Sequence, residues 1–313
     1  MGRFVTTQSV YLTVELRVPH IPREGHNLHA SGAESVPGGG FIGAAAARAQ
    51  GVEAVCASPL GTGPNSHAIR RRMGDLGITA VQGAVVGDVG VGVSLIQGDG
   101  KIATVVAAGV EGETSAELLD LVEAQGGDVV LVHGSDLAVE GSAGVLAKWV
   151  PTLPEDVTVV VATSPAVDSV PAHVWLPILR RADVLTMNTR EDGALRETLR
   201  NELPGTELDD ILKPTAACVR RSGPLGCEVT ESRGAPTVHV PSYEVAQVDT
   251  TGVGDTHVAV MCAALLQGDG LYRACQRANA AGSVTVSRSG SLPPPSREQV
   301  DRLVASGATT GTA

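Results

Sequence analysis

Along most of the chain, short apolar runs rich in valine alternate with longer stretches whose apolar positions recur at a helical period. The runs at 52–57, 128–132, 157–162, 183–187 and 215–219 predict strands, and the stretches at 40–50, 64–76, 115–124, 141–149, 171–181 and 189–202 predict helices between them. Asp128-Val129-Val130-Leu131-Val132 and Val157-Thr158-Val159-Val160-Val161 are apolar at nearly every position, as a strand must be when both faces of its sheet are covered. Such alternation predicts right-handed crossovers and a doubly wound, mainly parallel α/β sheet with helices on both faces. Two stretches break the rhythm, 10–36 and 79–106. In the second, Val89 to Gln97 and Lys101 to Val106 flank Gly98-Asp99-Gly100, a hairpin signal. Together they predict a small β-lid on a single domain spanning 1–304, and residues 305–313 read as a disordered tail.

Composition narrows the functional classes. The net charge of −11 argues against a nucleic-acid partner, which requires a concentrated basic surface, and aromatics at 2% are too few for base-stacking platforms. The one basic cluster, Arg70-Arg71-Arg72, falls in a predicted helix and reads as a solvated face. The five cysteines (Cys56, Cys218, Cys227, Cys262, Cys275) are odd in number and scattered, which predicts buried thiols in a reducing compartment. No apolar run approaches the roughly 20 residues of a membrane span, and no leader-like segment opens the sequence. The expectation is a cytoplasmic protein acting on a small molecule.

Near the C-terminal end, Asp249-Thr250-Thr251-Gly252-Val253-Gly254-Asp255 leads into an apolar stretch of helical character, Val258 to Leu266. Two glycines let the backbone N–H groups of 252–255 converge, and the positive end of the following helix points at the same spot, so an anion there meets fixed dipoles. Asp255 is the odd member, because a carboxylate repels a phosphate. Two readings account for it: an acid capping the helix, or a base that takes the proton of a hydroxyl as that hydroxyl attacks a phosphoryl group. Asn188 and Glu191 carry two readings as well. Their spacing fits a capping box, and they also end a buried strand, where parallel sheets gather ligands.

Other patterns lead elsewhere. Gly38-Gly39-Gly40-Phe41-Ile42-Gly43 fits the dinucleotide pattern, yet a poor strand precedes it and no acid follows about 20 residues on. No P-loop and no Gly-x-Ser-x-Gly elbow occurs. His20, His26 and His29 lack an acidic or cysteine partner at ligand spacing and read as exposed lid residues.

Taken together, these pieces resemble the PfkB, or ribokinase-like, family of carbohydrate kinases. Asp249 to Asp255 is similar to its C-terminal signature, with Asn279-Ala280-Ala281 downstream where the family has a stretch beside the adenine. Gly38-Gly39-Gly40 resembles its Gly-Gly motif, Gly61-Thr62-Gly63 its Gly-x-Asp segment, Met187 to Glu191 its Asn-x-x-Glu motif, and Arg221 to Gly226 its Thr-x-Gly-x-x-Gly loop. The likeness runs from about residue 5 to 304. It implies a ribokinase-like fold, ATP as phosphate donor, Asp255 as general base, and Gly252, Val253 and Gly254 as the anion hole. It also implies Mg²⁺ held through water by Asn188 and Glu191, and a nucleotide loop containing Arg221, Gly223 and Gly226 with Asn279 nearby. In some members a monovalent cation such as K⁺ sits where Asp249 and Thr251 stand; the plainer reading of Asp249 is a loop-bracing acid. Arg221 replaces the family's usual threonine, and reads either as a turn residue or as a clamp on the β- or γ-phosphate.

The acceptor side departs from the family. Gly38 and Gly39 match its substrate motif, but the aspartate and asparagine that grip sugar hydroxyls align with Leu12 and Gly43. The expected function is ATP-dependent phosphorylation of an alcohol on a small carbohydrate-like molecule. The alternatives are a nucleoside or hydroxymethyl-heterocycle kinase, or a non-catalytic relative that lost the sugar grip. A lid too small for its own core also predicts a homodimer joined through it.

Overall fold

The computed structural model describes residues 2–81, 83–99 and 101–310. A nine-stranded sheet runs in the order Thr237–Val240, Cys227–Thr230, Ala217–Arg221, Val184–Asn188, Thr158–Ala162, Val129–His133, Phe4–Thr6, Ala54–Cys56 and Ile78–Ala80. Every pairing from Ala217–Arg221 to Ile78–Ala80 is parallel, and only the two strands beyond Ala217–Arg221 are antiparallel. Side chains alternate between two cores. Phe4, Val129, Leu131 and Val160 face one, and Val5, Val130, Val132, Val159 and Val161 face the other. The first core packs against the helices Gly40–Ala49, Val253–Leu266 and Leu271–Val286; the second against Glu140–Trp149, Ala172–Arg181 and Thr189–Glu202. This is the doubly wound, mainly parallel architecture expected from the periodicity.

The lid is a separate four-stranded sheet in the order Gly32–Gly39, Val10–Val18, Val91–Gln97, Ile102–Ala107. Its two inner strands pair in parallel, so the lid is assembled from two distant segments and carries a hairpin at one edge. Gly100 of the expected hairpin turn lies outside the described residues. The expected lid stretch 79–106 is too long at its start, because Ile78–Ala80 is the edge strand of the large sheet. The expected tail also needs correction over 305–310: Ser306 closes the helix Arg297–Ser306, Thr309 bridges Tyr243, and the Thr310 N–H donates to the Ser242 carbonyl at 2.8 Å. Residues 311–313 lie outside the described residues.

Candidate active site

Parallel strands deliver their C-terminal ends to one edge of the sheet, and the lid strands face that edge across a cavity of about 810 Å³. The helix Val253–Leu266 starts in the cavity wall, five residues earlier than its apolar run implies, so Asp255 sits in its first turn. The helix is buried over nearly its whole length, which fixes where its positive end points. The Val253 N–H donates to the Thr250 carbonyl at 3.4 Å, while those of Gly254 and Asp255 have no acceptor within the helix and remain available to an anion. Gly252, the N-cap, is left-handed at φ 69°, and a Cβ there would lie 2.5 Å from the Ser291 Cβ. Only glycine fits that place without displacing the loop.

Around Asp255 the chain converges from remote positions. The Gln8 side-chain amide donates to Asp255 Oδ1 at 3.1 Å, and His133 Nε2 stands 4.0 Å from the same oxygen. The other ring nitrogen of His133 lies 2.7 Å from the Ser135 hydroxyl, which orients the ring. Neither Gln8 nor His133 was expected from motifs. His133 ends the strand Val129–His133, whose position at the ligand edge was a usable signal; Gln8 follows the three-residue strand Phe4–Thr6, too short to read from pattern.

On the donor side, Asn188 and Glu191 form a full capping box at the start of the helix Thr189–Glu202 while also lining the cavity. The capping-box reading holds, and the pair also borders the cavity. Glu191 Oε2 accepts from Thr163 Oγ1 at 2.7 Å, from the Asn188 N–H at 2.9 Å and from Arg221 Nη2 at 3.1 Å. Arg221, the last residue of its strand, is half-buried, and desolvation pushes its guanidinium below the usual range while Glu191 and Asp255 pull it back. Its Nε has no partner among the described residues, and a Cβ on Gly254 would lie 3.2 Å from its Nη1. The arginine thus flanks the Gly252–Asp255 loop with donors unspent.

Several expected ligand residues do other work. Asn279 is buried, its amide donating to the carbonyls of Val240 and Pro241 at 3.0 and 3.1 Å while its oxygen meets His257 Nε2 at 3.0 Å. It ties two helices to a strand end and does not line the cavity. Gly223 and Gly226 also lie off the cavity; a Cβ on Gly226, at φ 96°, would sit 2.1 Å from the Val240 carbonyl oxygen. Asp249 is pushed up by burial, but the N–H groups of Gly290 and Thr251, at 2.9 and 2.8 Å, hold it below the usual carboxylate range. The Thr251 hydroxyl beside it is buried without a partner among the described residues.

The alignment of Leu12 and Gly43 to sugar-gripping places is corrected by the geometry. The period of two in Val10–Val18 turns Tyr11, Thr13 and Glu15 into the cavity and Leu12 to the opposite face, near Arg72 and Asp75. Gly43 lies where two helices cross, its would-be Cβ 3.7 Å from the Ala259 Cβ. Gly38 and Gly39 do line the cavity. A Cβ on Gly38 would meet Thr13 Oγ1 at 2.3 Å, and one on Gly39, at φ 60°, would meet the Ser9 carbonyl oxygen at 2.1 Å. Asp136 and Glu111, which no motif marked, are buried in the same wall.

Comparison with known proteins agrees with this architecture. A sequence model described as the pfkB family carbohydrate kinase matches residues 7–297. The chain belongs to that family, and is an ATP-dependent kinase. It is 27% identical over 259 residues to the uncharacterized sugar kinase YegV of Escherichia coli, covering 82% of this chain and 79% of that one. It is 28% identical over 304 residues to an ATP-dependent ribose-1-phosphate kinase of Halopiger xanaduensis, covering 96% and 97%. Among solved structures, ribokinase from Thermotoga maritima superposes with a TM-score of 0.78 at 21% identity, over 97% of this chain and 100% of that one. The Methanocaldococcus jannaschii nucleoside kinase superposes at 0.79 with 16% identity, over 98% and 99%.

Proposed function

We propose that the protein transfers the γ-phosphoryl group of ATP to an alcohol of a small carbohydrate-like molecule, with Asp255 as general base. The observation that carries this reading is a carboxylate in the first turn of a helix whose N-terminus is built to hold an anion. The acceptor O–H loses its proton to Asp255 as its oxygen bonds to the γ-phosphorus; the bond to the bridging β,γ-oxygen breaks and ADP departs. Gln8 and His133 orient the Asp255 carboxylate. The N–H groups of 252–255 and the Arg221 guanidinium stabilise the charge that spreads over the transferred oxygens.

Asn188 and Glu191 suit a hydrated Mg²⁺. Glu191 Oε2 is occupied by three donors, so the remaining carboxylate oxygen is the one left to meet a metal-bound water. When bound, the ion neutralises charge on the nucleotide phosphates. Asp249 and the unpartnered Thr251 hydroxyl suit a monovalent cation such as K⁺. The test is ATP consumption against a panel of sugars, polyols and nucleosides. Acceptor-dependent ADP release supports the kinase reading; ADP release with no panel member, in a protein that binds ATP, counts against the acceptor class.

A further inference from the structure

The cavity's charge is lopsided. Its lid side and floor hold Glu15, Glu111, Asp136 and Asp255, and among the described residues that line it Arg221 is the one arginine or lysine. That arginine is paired with Glu191 on the nucleotide side. Arg17, on the cavity-facing side of the same lid strand, is hydrogen-bonded to Ser289 and does not line the cavity. Glu111 is satisfied by the N–H groups of Gly90 and Gly109 at 2.8 and 3.0 Å, so it is a settled charge. Asp136 is not settled. It is 2% exposed, its Oδ1 accepts the Ser9 N–H at 3.0 Å, and its Oδ2 has no partner among the described residues. A buried carboxylate oxygen left unpaired is costly, and a ligand that brings a donor removes that cost.

Resting on the kinase reading, we propose that Asp136 is the residue that grips the acceptor, its Oδ2 receiving a hydrogen bond from a second hydroxyl, and that the acidic wall excludes polyhydroxy acceptors that are already phosphorylated. The grip that Leu12 and Gly43 lack is thereby supplied from the strand end at 133–136. Tyr11 reports the same field: burial and the carboxylates of Asp255, Asp136 and Glu111 push its phenol up to about 12. A phosphate placed there would face like charge, and the one arginine or lysine among the described lining residues is already paired with Glu191.

Matched pairs test this on the full chain with ATP and Mg²⁺: ribose with ribose 1-phosphate, fructose with fructose 6-phosphate, a nucleoside with its 5′-monophosphate. ADP release and acceptor-induced thermal stabilisation are both read. The expected result is a preference of about a hundredfold for the uncharged member of the pair that is turned over, with stabilisation by that member alone. Preference for a phosphorylated member overturns the proposal and leaves the kinase reading standing. If no member is turned over or bound, both fall. Asp136→Asn keeps an acceptor for the Ser9 N–H, so it should fold, raise the acceptor KM about tenfold and abolish acceptor stabilisation while ATP stabilisation persists. An unchanged acceptor KM overturns the assignment, and should the variant fail to fold, the wild-type pairs still decide.

Discussion

Asp255 has the Gln8 amide at 3.1 Å and the His133 ring at 4.0 Å, so an amide in its place keeps shape and removes the proton acceptor. Asp255→Asn should lower turnover by about 10² to 10⁴ while ATP still raises the melting temperature; near-normal turnover with a proven acceptor would remove the base assignment. A second residue-scale expectation concerns Asp128. Burial pushes its carboxyl up, but Arg3, at 2.7 Å from guanidinium to carboxylate, with the N–H groups of Arg3 and Gln125 brings it below the usual range. A carboxyl depressed on folding stabilises the protein above its unfolded pKa, about 3.9, and that contribution is lost as pH falls through the folded value. Asp128→Asn should therefore cost about 1 to 3 kcal/mol at pH 7, by urea unfolding, and the gap should narrow below about pH 4. Asp255 was legible because its loop is contiguous. Asp136, Glu111, Tyr11 and Gln8 were not, since they come from three separate segments and only folding brings them to one wall.

At the scale of elements, period and glycine placement carried most of the reading. Five buried parallel strands and the helices between them were visible as apolar runs, and the lid as a break in their rhythm. The two antiparallel strands Cys227–Thr230 and Thr237–Val240 escaped, because Glu228, Thr237 and His239 leave them no apolar run. The register of the lid misled as well: a shift of one residue exchanges Leu12 for Tyr11 in the cavity, and sequence alone does not fix it. Asn279 shows how a motif can mark packing. Its side chain bridges the helices Val253–Leu266 and Leu271–Val286 to the end of Thr237–Val240 through His257, Val240 and Pro241. Asn279→Ala leaves two carbonyls and a histidine without that partner, so it should destabilise by about 2 to 4 kcal/mol in denaturant unfolding. The KM for ATP of the folded fraction should change less than threefold or so; a large KM increase with normal stability would return Asn279 to the nucleotide site.

At the scale of the molecule, the lid has two open edges, Gly32–Gly39 and Ile102–Ala107. Exposed edges with unpaired backbone groups invite another strand, and Ile102–Ala107 has Val105 75% and Val106 47% exposed. Val106 also lines the cavity, so a neighbour on that strand would lie next to the acceptor. Four strands held from two segments of the chain have little core of their own, and a second lid laid against them would cover apolar surface that each copy leaves to water. The expectation is a homodimer joined lid to lid, its mass by light scattering twice that of the chain at micromolar concentration. Val105→Glu should shift that mass toward the monomer without unfolding the large sheet, and should raise the acceptor KM more than the ATP KM, because the disturbed strand borders only the acceptor end. A monomeric wild-type mass would remove the dimer. A dimer untouched by Val105→Glu would move the interface away from that edge.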